Sequence, residues 1–341
     1  MEGLENALTY MKTNLLILLA LLGMMGCDSS DTPSGPNKQA NGYSTRIQDV
    51  SFFTSDVALF WDVFDNAPVF TEDVIRREYI NEGSKGLKAY VEKKPTTARS
   101  LAANLVSTNY SAYYRDIRPN TVDLSDVVEE SLVLFREFQE LFPEMIFPDV
   151  YFLVGAMEAG GKVSNEGVLI AVEMFSKNPT TSTAGLSNWH QQVTQERSYL
   201  TSIVIHEAVH VQQFYINQDL GNNPSLLKQA MIEGGADFIT ALLLEGKFIN
   251  EHIHAYADSL EEEIWEEFKL EMHNSSYGDW LYSGSPKANG RPADLGYYVG
   301  YKVVEHFYEN ATDKKAAIKE YLETSDFTAF LEKSGYEEKF D

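Results

Sequence analysis

The chain has 341 residues, 44% of them hydrophobic and 12% aromatic, enough for a sizeable core and too apolar for a disordered chain. Its formal net charge of -24 argues against nucleic-acid binding, since a phosphate backbone would be repelled, and against adsorption to anionic lipid through a basic patch. Cys27 is the single cysteine, so neither an internal disulfide nor a cysteine-built zinc site can form.

Residues 1–26 read as a targeting segment. The apolar run Leu15 to Met25 is too short to span a bilayer as a helix. Lys12 precedes it, and the small Gly26 follows it. Leu21-Leu22-Gly23-Met24-Met25-Gly26-Cys27 resembles a bacterial lipoprotein signal, which implies lipidation of Cys27 and anchoring to a cell-envelope membrane, inner or outer. Met1 to Tyr10 carries Glu2 and Glu5 and no base, which makes Met11 the expected initiator. Residues 27–42 hold Cys27 and the polar, Ser- and Pro-containing stretch from Asp28 to Asn41, expected to be a flexible tether.

Residues 43–145 read as an N-terminal helical part. Val57, Leu59, Phe60 and Phe64 recur at near-helical spacing, and so do Val127, Val128, Leu132, Leu134, Phe135 and Phe138. The character changes after Pro143. Val150 to Val154 and Val168 to Val172 are short aliphatic runs that read as two strands, joined by a Gly-containing loop from Gly155 to Gly167. Asn178 to Trp189 reads as a long loop, and helical patterning resumes from about Glu196. The fold class expected is α+β, mainly helical, with a small central sheet; 146–341 is the expected catalytic part, and 43–341 one compact unit.

The chemistry is carried by His206-Glu207-Ala208-Val209-His210, an HExxH motif. Positions four apart share one face of a helix, so both imidazoles can reach one Zn²⁺ at about 2.0–2.1 Å. Glu207 lies one residue along, where it can address a water rather than the metal. Ile203, Val204, Ile205, Ala208, Val209 and Val211 make this helix apolar nearly all round, hence buried. Two histidines and a glutamate there are costly unless they are paired or bind a metal.

A catalytic zinc needs a third protein ligand, and Glu233 is the candidate. Asn223-Pro224 is a good helix start. Glu233 lies roughly 14 Å along that helix, and the HExxH helix continues roughly 12 Å past His210, so an antiparallel pair sets Glu233 opposite His210. Asp237, one turn further on the same face, can accept the second N–H of a ligand histidine. Gly234 and Gly235 each cost about 1 kcal/mol in mid-helix relative to Ala, which a close approach of the two helices would explain.

HExxH followed by Glu233 on the next helix, with Asp237 four residues later, resembles the gluzincin metallopeptidases, the group that includes thermolysin. The metzincin pattern is absent, because position 213 is Gln and position 216 is Ile. More narrowly, HEAVHVQQ, EGGADFITALLLEGK and RPADLGYYVGYKVVEHFYE are similar to a bacterial family of predicted zinc-dependent proteases, some of them lipoproteins linked to gliding motility. The resemblance covers about Asp149 to Glu309. It implies a zincin-like domain, a Zn²⁺ cofactor, a peptide or protein substrate and a tyrosine that stabilises the oxyanion, for which Tyr297 is the first candidate and Tyr298 the second. It also implies that the Val168–Val172 strand binds an extended substrate by strand addition.

The expected function is peptide-bond hydrolysis with Glu207 as general base. One alternative is an envelope lipoprotein whose metal site is structural or inactive and which serves surface assembly. Another is a zinc aminopeptidase, because Gly155-Ala156-Met157-Glu158-Ala159 resembles the Gly-Ala-Met-Glu-Asn motif in which the Glu binds a free amine; the fifth residue departs from it. A third, a metal-independent binding lipoprotein, requires the HExxH to be accidental.

Overall fold

The aliphatic runs at Val150–Leu153 and Gly167–Ala171 have no polar face, so both sides of the sheet they form must be covered. A computed structural model describes residues 43–218, 220, 224–283 and 290–340, all within one compact unit, Asn37–Asp341. The expected signal segment, Cys27, the tether and Asn223 lie outside the described residues.

The strands are β1 (Tyr43–Ser44), β2 (Phe52–Phe53), β3 (Phe147–Pro148), β4 (Val150–Leu153), β5 (Gly161–Ser164) and β6 (Gly167–Ala171). β1 pairs antiparallel with β3. The main sheet has the order β2-β4-β6-β5, with β5 antiparallel to β6 and the other pairs parallel. The expected loop between two strands therefore contains a third. Gly-Lys-Val-Ser is short and half polar, as suits an edge strand, and gives little strand signal of its own. β6 is paired on both sides, which corrects the expectation that it accepts a substrate strand; β2 and β5 are the edge strands, and β5 is the one beside β6.

The longer helices are α1 (Ser55–Asn66), α2 (Lys85–Lys93), α3 (Thr97–Val106), α4 (Thr108–Ile117), α5 (Ser125–Leu141), α6 (Leu200–Ile216), α7 (Leu226–Leu243), α8 (Glu251–Ala257), α9 (Glu261–Glu271), α10 (Gly296–Asn310), α11 (Lys314–Glu323) and α12 (Phe327–Ser334). The architecture is mainly helical α+β with a small mixed sheet. No helix among the described residues is long and apolar enough to cross a membrane.

α6 and α7 are buried almost along their whole length. α7 begins at Leu226, with the Ser225 side chain accepting from the Lys228 N–H as its cap. Contacts from His206 to Asp237, His210 to Glu233 and Gln213 to Ile232 run in opposite senses, so the two helices are antiparallel. The glycines of α7 serve other neighbours than expected. A Cβ on Gly234 would sit 2.2 Å from the Tyr301 backbone nitrogen of α10, and one on Gly235 would strike the Tyr321 ring of α11. Gly300 of α10 answers from the other side, where a Cβ would lie 1.8 Å from the Ala230 carbonyl oxygen. Two helix backbones thus touch at Gly234 and Gly300, and this locks α7 in place behind the site.

Candidate metal centre

His206, His210 and Glu233 are all buried and present their ligand atoms within 4.8 Å of one another. Tetrahedral metal bonds of about 2.0–2.1 Å place neighbouring ligand atoms about 3.3–3.4 Å apart. Glu233 Oε2 lies 3.4 Å from His206 Nε2 and 3.3 Å from His210 Nε2. The donor set and spacing fit a zinc-type ion.

The second nitrogens are fixed from behind. His206 Nδ1 lies 2.9 Å from Asp237 Oδ1, and Asn250 Nδ2 donates to Asp237 Oδ2 at 2.8 Å. His210 Nδ1 lies 2.7 Å from Gln213 Oε1. The Gln213 amide in turn donates to the Ile232 carbonyl at 2.9 Å and to the Tyr321 hydroxyl at 2.6 Å. Both histidines therefore carry their protons on Nδ1 and turn Nε2 toward Glu233. Burial opposes charge on His206, but Asp237 and Glu233 outweigh it and raise its pKa to about 10. The same balance of burial against Glu233 raises His210. Burial opposes charge on Glu233 too, yet the two imidazoles hold its carboxyl well below the ordinary value. The group is built to share positive charge.

Glu207 is set apart from this group. Burial raises its pKa, against the opposing pull of His210, His206 and Lys162. Its carboxylate lies against β5, where a Cβ on Gly161 would come 2.3 Å from Oε1. Glycine at position 161 is what lets the edge strand pass so close. Glu207 and Glu233 both line a cleft of about 890 Å³, walled by β5 on one side and by Val211, Phe214 and Tyr215 on another.

Of the two expected tyrosines, Tyr297 comes near: its ring stands edge-on to Tyr282, 6.4 Å between centroids, and Glu233 bears on its hydroxyl. Tyr298 is turned away from the centre. One residue along a helix turns the side chain about 100°, and its ring packs on His254 while its hydroxyl faces Asp258. The aminopeptidase-like loop is not at the centre either. Glu158 accepts from the Thr96 and Thr97 hydroxyls and does not line the cleft. Arg291 is taken by Glu267 at 2.5 Å.

Sequence reasoning missed Tyr282, Gln229 and Gln213. Tyr282 donates to Glu233 Oε1 at 2.5 Å, and Gln229 donates to both Tyr282 and Glu233. Gln229 stands four residues before Glu233 on α7, the one spacing that could have revealed it.

No curated protein and no solved structure matches the chain. A family described as gliding motility protein GldB matches residues 45–338, a span that holds every residue of the centre. The chain therefore belongs to this lipoprotein-domain family, that of the gliding motility protein GldB.

Proposed function

We propose that this protein is an envelope lipoprotein of the gliding apparatus, anchored through Cys27, whose His206–His210–Glu233 centre holds one Zn²⁺ and hydrolyses peptide bonds in a gluzincin-like, zincin-type site. The observation that carries this reading is Glu207. A structural site needs only ligands; here a further carboxylate, with a raised pKa and no ligand role, faces the cleft beside them.

Bound there, zinc supplies Lewis acidity to the substrate carbonyl and makes a water easier to deprotonate. Glu207 accepts the proton of the attacking water and passes it to the amine nitrogen as the C–N bond breaks. Asp237 and Gln213 hold the two imidazoles in the tautomer that turns Nε2 to the ion. The open edge of β5 is suited to lay an extended peptide across Glu207 by strand addition. Tyr297 is the remaining oxyanion candidate of the expected pair.

The family match favours a second reading, in which the metal centre only holds the fold of a surface-assembly protein. One substitution separates the two. Full-length protein in detergent should carry one zinc per chain by mass spectrometry and cleave members of a peptide library. Glu207→Gln should keep its zinc and lose about 10²–10⁴-fold in turnover. A zinc-loaded wild type that cleaves no peptide, or a Glu207→Gln variant as fast as wild type, would leave the structural reading in place. A wild type that takes up no added zinc would defeat both.

A further inference from the structure

The two oxygens of Glu233 have different partners. Oε2 faces both imidazoles, at 3.4 and 3.3 Å. Oε1 is turned away and accepts from Tyr282 at 2.5 Å and from Gln229 Nε2 at 3.2 Å. The Gln229 amide also donates to the Tyr282 hydroxyl at 2.8 Å, which leaves that hydroxyl's own proton for Glu233. The three side chains close a ring of hydrogen bonds around one carboxylate oxygen.

Tyr282 is held in this ring against its own backbone preference. Its φ of 58° lies in the left-handed region, uncommon for a residue with a bulky side chain. The chain is pinned on both sides of it. The Ser283 N–H donates to Asp294 Oδ1 at 2.8 Å, and the Gly296 N–H donates to the Trp280 carbonyl at 2.8 Å. A Cβ on Gly296 would come 2.8 Å from that same carbonyl oxygen, so the strap Trp280–Ser283 lies directly on the start of α10. The Tyr282 ring is open to the cleft while its hydroxyl points inward at Glu233. A residue that served only packing would not need a strained backbone to present an exposed ring.

We infer that Tyr282 and Gln229 are positioning residues that make Glu233 a one-oxygen metal ligand and so hold the ion at four-coordination, with the fourth position left to a water or a substrate. The inference rests on the metal reading above and not on the hydrolytic one. A carboxylate can bind through one oxygen or both. With Oε1 free, it can rotate onto the ion as an additional donor beside the water or substrate carbonyl and raise the coordination number to five. With Oε1 engaged by a phenol and an amide, that rotation costs two charge-assisted hydrogen bonds.

The test uses the full-length protein with Co²⁺ in place of zinc, because the intensity of cobalt's visible absorption falls as its coordination number rises. The wild type should show the intense bands of a four-coordinate ion. Tyr282→Phe should lower them by about half or more. Gln229→Leu, which leaves the strap untouched, should lower them less, and the double variant more than either single one. Tyr277→Phe, which removes a hydroxyl beside the Tyr282 ring but not from Glu233, should leave the spectrum unchanged. Four-coordinate spectra in the wild type and all variants would overturn the clamp and leave the metal site standing. A wild type with no cobalt absorption would overturn both.

Discussion

Two groups of buried acids in this protein end in opposite states. Glu173, just after β6, is fully buried, and its carboxylate accepts only backbone N–H groups, from Gly155 at 2.9 Å and Met157 at 3.0 Å. Four buried tyrosines finish the job around it. Tyr113 donates to the Glu173 carbonyl, Tyr114 to Gly155, Tyr79 to Val154 and Tyr90 to Ala159. Burial pushes the Glu173 carboxyl up to about 7. Glu233 is buried at the border of the cleft, but its partners are two imidazoles, a phenol and an amide, and its carboxyl is pulled down. Partners decide what a buried carboxylate is for. Backbone amides leave Glu173 as a tie that shapes a loop, whereas convergent side chains leave Glu233 facing a place where a cation fits.

The largest effect that bears on this contrast is loss of the metal. Glu233→Ala removes the one carboxylate that faces both imidazoles, and zinc affinity should fall by about a thousandfold or more in a competition titration with a fluorescent chelator. Glu173→Gln should leave that affinity within a factor of about two, since Glu173 offers nothing to an ion. Equal losses in the two variants would erase the distinction.

Next comes the pH dependence of stability, where Glu173 should report as a difference between the wild type and its own variant. Its folded pKa of about 7 stands above the ordinary 4.5. Below pH 4.5 the group is protonated in both states and costs nothing. Between 4.5 and 7 the unfolded chain ionises first, so stability falls as pH rises. Above 7 the loss is complete, at about 3 kcal/mol for a shift of this size. Glutamine is neutral throughout and keeps one acceptor oxygen for one of the two N–H groups. The stability of Glu173→Gln relative to wild type should therefore rise by about 3 kcal/mol between pH 5 and pH 8. A difference between the two proteins that stays constant across that range would mean that Glu173 is ionised in the fold.

How much of this was legible follows the same division. The HExxH spacing set His206 and His210 on one helix face, and helix length brought Glu233 opposite them, because rise per residue needs no tertiary knowledge. Asp237 followed from one further turn. Tyr282 did not, since it stands 49 residues past Glu233 in a strap with no periodic pattern. β5 was hidden because an edge strand with a wet face need not be apolar. Gly234 and Gly235 announced a close approach, but not that the neighbours were α10 and Tyr321. Nothing in the spacing of Tyr113 and Tyr114 tells that their hydroxyls hold the loop that Glu173 ties.

The smallest effect tests how far the histidine support extends. Asn250 donates to Asp237 Oδ2, the oxygen that His206 does not use. Asn250→Ala leaves that oxygen in the interior without this donor, and Asp237 gains freedom to rotate away from His206 Nδ1. Partners at this remove change metal affinity by about 10–100-fold. Asn250 acts through a second carboxylate, so about tenfold is expected, measured by the same chelator competition. Asp237→Ala should cost more, because it removes the partner of Nδ1 itself, and adding Asn250→Ala to it should cost almost nothing further. If the two losses instead added in full, Asn250 would be acting on the centre by another route than Asp237.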